Sequence, residues 1–358
     1  MSVLLLLAGP AWAGDLLIVG ASYVDRNDVE VMLEDLLDEG SGADRSVTAL
    51  CESGMTWAEH VARIGSDETW TTTLRDTPWT GAFLHEFADV ADQPVDSENF
   101  LASLAAGQEL AAYLGGNGAA IYVWLTWGDR NGGPHYADYT GMQDALKTGA
   151  ETYVATFNGD GYPSYVAPIG EAFRYLHDND ADPMAADALF TLLYTSDNQH
   201  PTPAGSYLAA LVMYATLVGE SPAGLSAPAN VAAAIAPEDV LRLQEAAWIA
   251  IEQTAAEGYA YPWQGGGDTG TPDTGTNDDS GDDPGSTDSG GADSAEDAGE
   301  GDSGAPDTGA PTSEESSNPD DSDDRGCGCS GVAGAPSAPA AASLVSGALA
   351  LIAARRRR

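Results

Sequence analysis

Short apolar runs alternate with amphipathic helical patterns along the first 255 residues of the chain. The first and fourth runs are almost entirely apolar, which is typical of strands buried on both faces of a parallel sheet. The runs lie at residues 15–20, 46–51, 82–90, 119–127 and 164–169. Because helical patterns separate and follow these runs, the chain is predicted to form a parallel sheet with helices on both faces, a three-layer α/β/α domain.

The helical patterns place apolar residues at intervals of three and four. They lie at residues 29–40, 57–64, 99–114, 142–157, 170–177, 183–193, 204–218 and 237–254. Asn27 or Asp28 is expected to cap the first of these helices. Thr202, followed by Pro203, is expected to cap the helix at 204–218.

The composition changes sharply after Trp263. Residues 264–325 hold 19 acidic residues among Gly, Ser, Thr and Pro, so this segment is predicted to be a disordered acidic linker. Residues 14–263 are then predicted to form one globular domain. Residues 1–263 are also acidic, with 37 acidic and eight basic residues. A protein with a formal net charge of -43 is expected to repel nucleic acid and anionic surfaces.

Residues 1–13 predict a secretory signal peptide, because a short apolar stretch ends in Ala11-Trp12-Ala13, an A-x-A cleavage pattern. The alternative interpretation of this stretch is a buried strand or helix. The C-terminal residues 326–358, described next, favour the signal peptide, because they independently predict export.

The C-terminal residues 326–358 contain Cys327 and Cys329, an apolar stretch at 332–354 and four terminal arginines. The stretch is long enough to span a bilayer, and the arginines predict a cytoplasmic C-terminus. This order of parts resembles the C-terminal sorting signal of myxobacterial surface proteins. The resemblance implies export and sorting machinery as partners, a transient membrane anchor, cleavage near Cys327 or Cys329, and display at the cell surface or outer membrane.

Ser22, Asp197 and His200 carry the candidate chemistry. Ser22 lies where the first predicted strand ends and a helix begins, and backbone amides at such a place favour an oxyanion. Asp197 and His200 lie three residues apart in a short loop. These residue types predict a nucleophile, its general base and the group that orients the base. The structural alternative, in which Ser22 caps a helix and Asp197 forms a turn, is compatible with that chemistry.

Six stretches of the sequence resemble the SGNH (GDSL-like) hydrolase superfamily, in a branch whose first block reads Gly-x-Ser-Tyr/Phe. They are residues 18–23, 53–56, 125–132, 142–146, 167–173 and 194–208, of which the last is the most specific. Together they extend over nearly all of residues 16–255. The resemblance implies a flavodoxin-like α/β/α fold and serine hydrolase activity, and it implies no metal or organic cofactor.

The same resemblance assigns a triad to Ser22, Asp197 and His200. It also implies an oxyanion hole made by the backbone amides of Ser22 and Gly54 and by a side-chain amide after the third strand. This chain lacks the Gly-x-Asn-Asp block there and reads Phe-Leu-His-Glu-Phe at 83–87. His85 is the candidate replacement donor, and Asn131, after the fourth strand, is the other candidate.

The sequence therefore predicts an exported, surface-displayed serine esterase that forms an acyl-Ser22 intermediate. Its expected substrate is a small-molecule, glycan or lipid ester, with no nucleic acid as partner. The alternative is a non-catalytic cell-surface binding module that retains the fold, which the unusual residues at 83–87 favour.

Overall fold

The computed structural model describes residues 14–42 and 45–266. The predicted signal peptide, nearly all of the predicted linker, the two sorting cysteines and the predicted membrane segment lie outside these residues. Within the described ranges, no helix is both long enough and apolar enough to cross a bilayer.

Five strands form one fully parallel sheet in the order β2-β1-β3-β4-β5. They are β1 (Leu16–Gly20), β2 (Val47–Cys51), β3 (Gly81–Leu84), β4 (Ala120–Trp124) and β5 (Ser164–Ala167). In the register, Val19 of β1 pairs with Leu50 of β2 on one side and with Leu84 of β3 on the other. Every residue of β1, β3 and β4 is buried, which explains why the sequence of these strands is continuously apolar.

Helices connect and cover the strands. They are α1 (Ser22–Asp25), α2 (Val29–Ser41), α3 (Trp57–Arg63), α4 (Glu68–Thr71), α5 (Ala88–Ala91), α6 (Glu98–Gly116), α7 (Tyr139–Gly159), α8 (Ile169–Asn179), α9 (Leu189–Leu192), α10 (Pro203–Val218), α11 (Ala229–Ala234) and α12 (Pro237–Ala256). A π-helical turn at Thr72–Asp76 follows α4, and a 3-10 turn at Pro262–Gly266 follows α12.

The helices form two packed groups. One consists of α2, α8, α10 and α12, and the other of α3, α5, α6 and α7. Parallel strands connected by right-handed crossovers in the order 2-1-3-4-5 require helices on both faces of the sheet. The parallel α/β fold predicted from the alternating pattern is thereby confirmed.

Helix α10 is the centre of the first group and follows the Asp197–His200 loop directly. Thr202 caps it as predicted, since its hydroxyl accepts a hydrogen bond from the amide of Gly205, and Pro203 occupies the first turn. Almost every residue of α10 is buried, because α2, α8 and α12 all pack against it. The loop before α10 is therefore held by a rigid helix.

Several predicted boundaries are wrong. The third strand ends at Leu84, and part of the run at 82–90 forms α5. Residues 85 and 86 remain buried although they are no longer in the sheet, so their burial extended the apparent strand pattern. The helix predicted at 183–193 is only the four-residue α9. Asp28 occupies the N-cap position of α2 with a left-handed φ of 56° and makes no capping hydrogen bond.

The buried face of α12 allows a matched test of the core. Leu243 is fully buried, whereas Leu241, two residues earlier on the same helix, is 61% exposed. We expect Leu243→Ala to lower the free energy of unfolding by about 2–5 kcal/mol, because it removes buried methyl groups and leaves a cavity. Leu241→Ala is expected to change it by less than about 0.5 kcal/mol. Urea denaturation measures both, and equal effects would contradict the described orientation of α12.

Candidate active site

The carboxyl ends of the parallel strands meet at one edge of the sheet, and the candidate residues lie in the loops there. Ser22 follows β1, Gly54 follows β2, His85 follows β3, and Asn131 follows β4. The Asp197–His200 loop, which connects α9 to α10, reaches the same edge. Ligands of open α/β sheets bind at this edge, so the topology brings the candidate residues to the end of the sheet where a substrate would bind.

Ser22, His200 and Asp197 form a continuous chain of hydrogen bonds. The distance from Ser22 Oγ to His200 Nε2 is 2.9 Å, and the distance from His200 Nδ1 to Asp197 Oδ2 is 2.8 Å. Because a carboxylate only accepts, Nδ1 donates to Asp197, which leaves the Nε2 lone pair facing the hydroxyl of Ser22. In this arrangement the imidazole can remove a proton from Ser22.

The carboxylate of Asp197 is held in its charged form. Burial opposes the charge, but the hydrogen bonds that it accepts outweigh this effect. Its Oδ1 accepts from the amides of Gln199 and His200, both at 3.0 Å, and from the Thr195 hydroxyl at 2.7 Å. Together with the bond to His200, they lower the pKa of Asp197 well below its ordinary value. Asp197 is therefore ionised, as a group that orients and stabilises an imidazolium must be.

Contacts from the loop after β4 hold the triad loop in place. The Trp127 indole donates to the carbonyl oxygen of Gln199 at 3.1 Å, and the Arg130 amide donates to that of Asn198 at 2.8 Å. The Arg130 guanidinium also donates to the Asn198 side chain. Asn198 has a φ of 66°, a left-handed conformation that asparagine tolerates better than most residues. This asparagine forms the tight turn between Asp197 and His200.

Asn27 holds the serine and histidine segments together. Its side-chain amide donates to the Pro201 carbonyl at 3.1 Å and to the Ser206 hydroxyl at 2.9 Å. Asn27 has a left-handed φ of 62° in the turn that follows α1, the helix containing Ser22. It was expected only as a possible helix cap, because its actual partners lie more than 170 residues away in the sequence.

A stack of aromatic rings packs against the candidate triad. The ring of Tyr23 lies against that of Trp127 at a centroid distance of 4.6 Å, and Trp127 lies against Phe173 at 4.5 Å. Tyr23 also meets the His200 imidazole edge-on at 5.6 Å. Trp127 is fully buried, so it belongs to the core and does not form an exposed pocket wall.

The two candidate backbone donors lie on adjoining segments. Ser22 is the first residue of α1, and Gly54 lies with a φ of 77° in the turn between β2 and α3. The hydroxyl of Ser53 is 3.5 Å from the carboxylate of Asp25, so the Gly54 turn lies beside α1. The left-handed conformation explains the need for a glycine at position 54.

The two candidate side-chain donors are less favourably placed. His85 is 1% exposed, and its ring packs against Tyr23 and Trp124. Neither ring nitrogen has a hydrogen-bond partner, and burial lowers the pKa of His85 to about 3. Asn131 is exposed, and its side chain accepts from the Gly133 amide at 3.4 Å. Donation by His85 or Asn131 to an oxyanion stays a prediction.

Three carboxylates that belong to no recognised sequence pattern lie in the segments that follow β3 and β4. Asp89, Asp92 and Asp129 each have one side-chain oxygen that is buried without a hydrogen-bond partner. Burial, with a contribution from the charge of Asp89, raises the pKa values of Asp92 and Asp129 to about 6. The charge of Asp197 also contributes to the raised pKa of Asp129. Across the described ranges, no cluster of His, Cys, Asp and Glu has the arrangement of a metal site.

The sequence matches no protein-family model and no curated protein. Among solved structures, a DUF4886 family protein from Bacteroides uniformis is 16% identical, with a TM-score of 0.53 over 67% of this chain and 95% of that chain. This likeness supports the fold.

Two further solved structures are similar over a smaller part of the chain. A candidate SGNH hydrolase from Slackia heliotrinireducens is 23% identical, with a TM-score of 0.44 over 56% of this chain and 97% of that chain. A lipase/acylhydrolase from Enterococcus faecalis is 14% identical, with a TM-score of 0.41 over 57% of this chain and 95% of that chain.

The buried carboxylate of Asp129 predicts a pH-dependent stability. A carboxyl whose pKa rises on folding to about 6 destabilises the fold as the pH increases from about 4 to about 6. We expect Asp129→Asn to be more stable than the wild type at pH 8 by about 1–3 kcal/mol, and by less at pH 4. Urea denaturation at both pH values measures this difference. Asp187→Asn, at an exposed position, is the control, and an equal pH effect in both variants would contradict the prediction.

Proposed function

We propose that this protein is a serine ester hydrolase of the SGNH type, with Ser22 as nucleophile, His200 as general base and Asp197 as the group that orients the histidine. The observation that carries the proposal is the hydrogen-bond chain with distances of 2.9 Å and 2.8 Å. The ionised state of Asp197 and the lone pair of Nε2 facing Ser22 give each residue the protonation state that its role requires.

In the first half of the reaction, Ser22 Oγ attacks the carbonyl carbon of the ester while its proton moves to His200 Nε2. The resulting tetrahedral intermediate carries a negative oxygen. When it collapses, the bond to the alcohol oxygen breaks, and the imidazolium returns its proton to that oxygen. The alcohol leaves, and the acyl group remains on Ser22 as an ester.

In the second half, water replaces the alcohol. His200 removes a proton from the water as its oxygen attacks the acyl carbon, and the second tetrahedral intermediate releases Ser22 Oγ, which regains the proton. A carboxylic acid leaves, and the enzyme returns to its starting state. Throughout, Asp197 stabilises the imidazolium by accepting from Nδ1.

The oxyanion hole is proposed to consist of the backbone amides of Ser22 and Gly54. Removing one donor of such a hole typically lowers the rate ~10²–10³-fold, so an enzyme with two donors retains the reaction class. The third donor of the SGNH pattern, for which His85 and Asn131 are the candidates, stays a prediction. The partnerless ring nitrogens of His85 would have to become accessible before that residue could serve.

The proposed substrate is a neutral ester, such as an acyl or acetyl group on a glycan or a lipid. The net charge of -43 disfavours polyanionic substrates by repulsion. The export and surface display expected from residues 1–13 and 326–358 belong to this proposal, and they are supported by the sequence pattern at the two ends of the chain. On a cell surface, the enzyme would meet extracellular glycans and lipids.

Hydrolysis of p-nitrophenyl acetate and butyrate tests the proposal. We expect Ser22→Ala to lose Ser22-dependent turnover to the background rate, because loss of a triad serine can lower kcat by ~10⁶. Ser226→Ala is the control, since Ser226 is an exposed serine that bonds to Glu39 near the end of α2. Equal rates in the wild type and Ser22→Ala would contradict catalysis on these esters and favour the alternative, a surface binding module.

A further inference from the structure

His60 is a fully buried histidine outside the triad, and both of its ring nitrogens have defined partners. Nε2 lies 3.0 Å from the carbonyl oxygen of Gly20, and Nδ1 lies 3.0 Å from the indole nitrogen of Trp70. An indole N–H only donates, so Nδ1 accepts and carries no proton. Nε2 is then protonated and donates to Gly20.

The environment keeps His60 neutral. The residue has no exposed surface, and burial lowers its pKa to about 4. Its ring lies roughly parallel to that of Trp70, and the guanidinium of Arg63 lies 4.4 Å above the Trp70 ring. A neutral imidazole with a fixed tautomer and a packed ring presents its Nε2 proton in one direction.

The two ends of this hydrogen bond belong to the two segments that supply the proposed oxyanion donors. Gly20 is the last residue of β1, two residues before Ser22. His60 lies on α3, which begins three residues after Gly54. The bond therefore joins the strand that leads to the amide of Ser22 to the helix that follows the amide of Gly54.

Each of the two segments is also held by local contacts of its own. A side-chain carbon on Gly20 would lie 2.6 Å from the Val24 side chain and 2.9 Å from Cβ of His85, so the strand end is closely packed. Helix α3 begins with a capping box between Thr56 and Glu59. The His60 bond therefore adds a second contact between these segments, beyond the strand pairing of Gly20 with Cys51.

We propose that His60 is a positioning residue of the active site, whose hydrogen bond to Gly20 sets the separation of the Ser22 and Gly54 amides. This inference rests on the proposed function. Oxyanion donors act best when they are already in place before the negative charge develops, and a misplacement of about 1 Å can lower the rate ~10²-fold. His60 acts through the two backbone segments and does not touch the substrate.

The test compares three variants of the full chain in hydrolysis of p-nitrophenyl acetate. His60→Leu removes the donor. His60→Gln retains an amide donor near the position of Nε2 and an oxygen that can accept from Trp70. Trp70→Phe leaves His60 but removes the group that fixes its tautomer. Circular dichroism and the melting temperature show which variants are folded at the assay temperature.

We expect His60→Leu to lower kcat ~10–100-fold with KM changed less than about twofold, because the amides contact the oxyanion and not the ground-state ester. His60→Gln should recover most of this loss, and Trp70→Phe should lower kcat severalfold. The inhibition constant of a boronic acid, which forms a tetrahedral adduct with serine, should rise by the factor by which kcat/KM falls.

The outcomes separate this inference from the proposed function. A folded His60→Leu with kcat within twofold of the wild type overturns the role of His60. If His60→Leu does not fold, wild-type kcat in a folded Trp70→Phe variant overturns it. A wild type with no Ser22-dependent turnover contradicts the proposed function itself, and the positioning role is then overturned with it.

Discussion

The parallel pairing of five strands is the constraint on which the whole arrangement depends. Parallel strands all end at the same edge, so the loops that follow them converge there although they are far apart in the sequence. This convergence allows Ser22 and His200, which are 178 residues apart in the sequence, to form a hydrogen bond. Because α10 is buried among other helices, the histidine loop reaches the edge from a rigid support.

Once the loops converge, local hydrogen bonds decide which chemistry is possible. Asp197 accepts four hydrogen bonds, which keep it ionised, and it directs the His200 proton to Nδ1. At Asp197 the hydrogen bonds outweigh the effect of burial, and the carboxylate is charged. At His60 burial outweighs the hydrogen bond to Gly20, and the imidazole is neutral. Histidine thus serves as the proposed base at position 200 and as a fixed hydrogen-bond donor at position 60.

The sequence allowed the fold and the three residues at the centre of the site to be predicted. Buried parallel strands and α10 leave strong apolar patterns, and Asp197 and His200 are three residues apart. Strand ends were harder to predict, because His85 and Glu86 stay buried after β3 has ended. The sequence pattern reflects which residues are buried, whereas the end of a strand depends on its pairing with neighbouring strands.

Other features of the site depend on tertiary contacts that no local pattern encodes. Asn27 looked like a helix cap, but its partners are Pro201 and Ser206. The raised pKa of Asp129 results from burial and from charges on other segments. His60 is a single histidine on a short helix, and no sequence pattern identifies Gly20 and Trp70 as its hydrogen-bond partners.

The most direct measurement of the central claim is labelling with a fluorophosphonate, followed by mass spectrometry of the intact protein and its peptides. Such a probe reacts with a serine that an adjacent base activates. We expect one adduct per chain, located on Ser22 and absent from a folded His200→Ala variant. A folded wild-type protein that forms no adduct, or that forms it on a different serine, would contradict the assignment of Ser22 as the nucleophile.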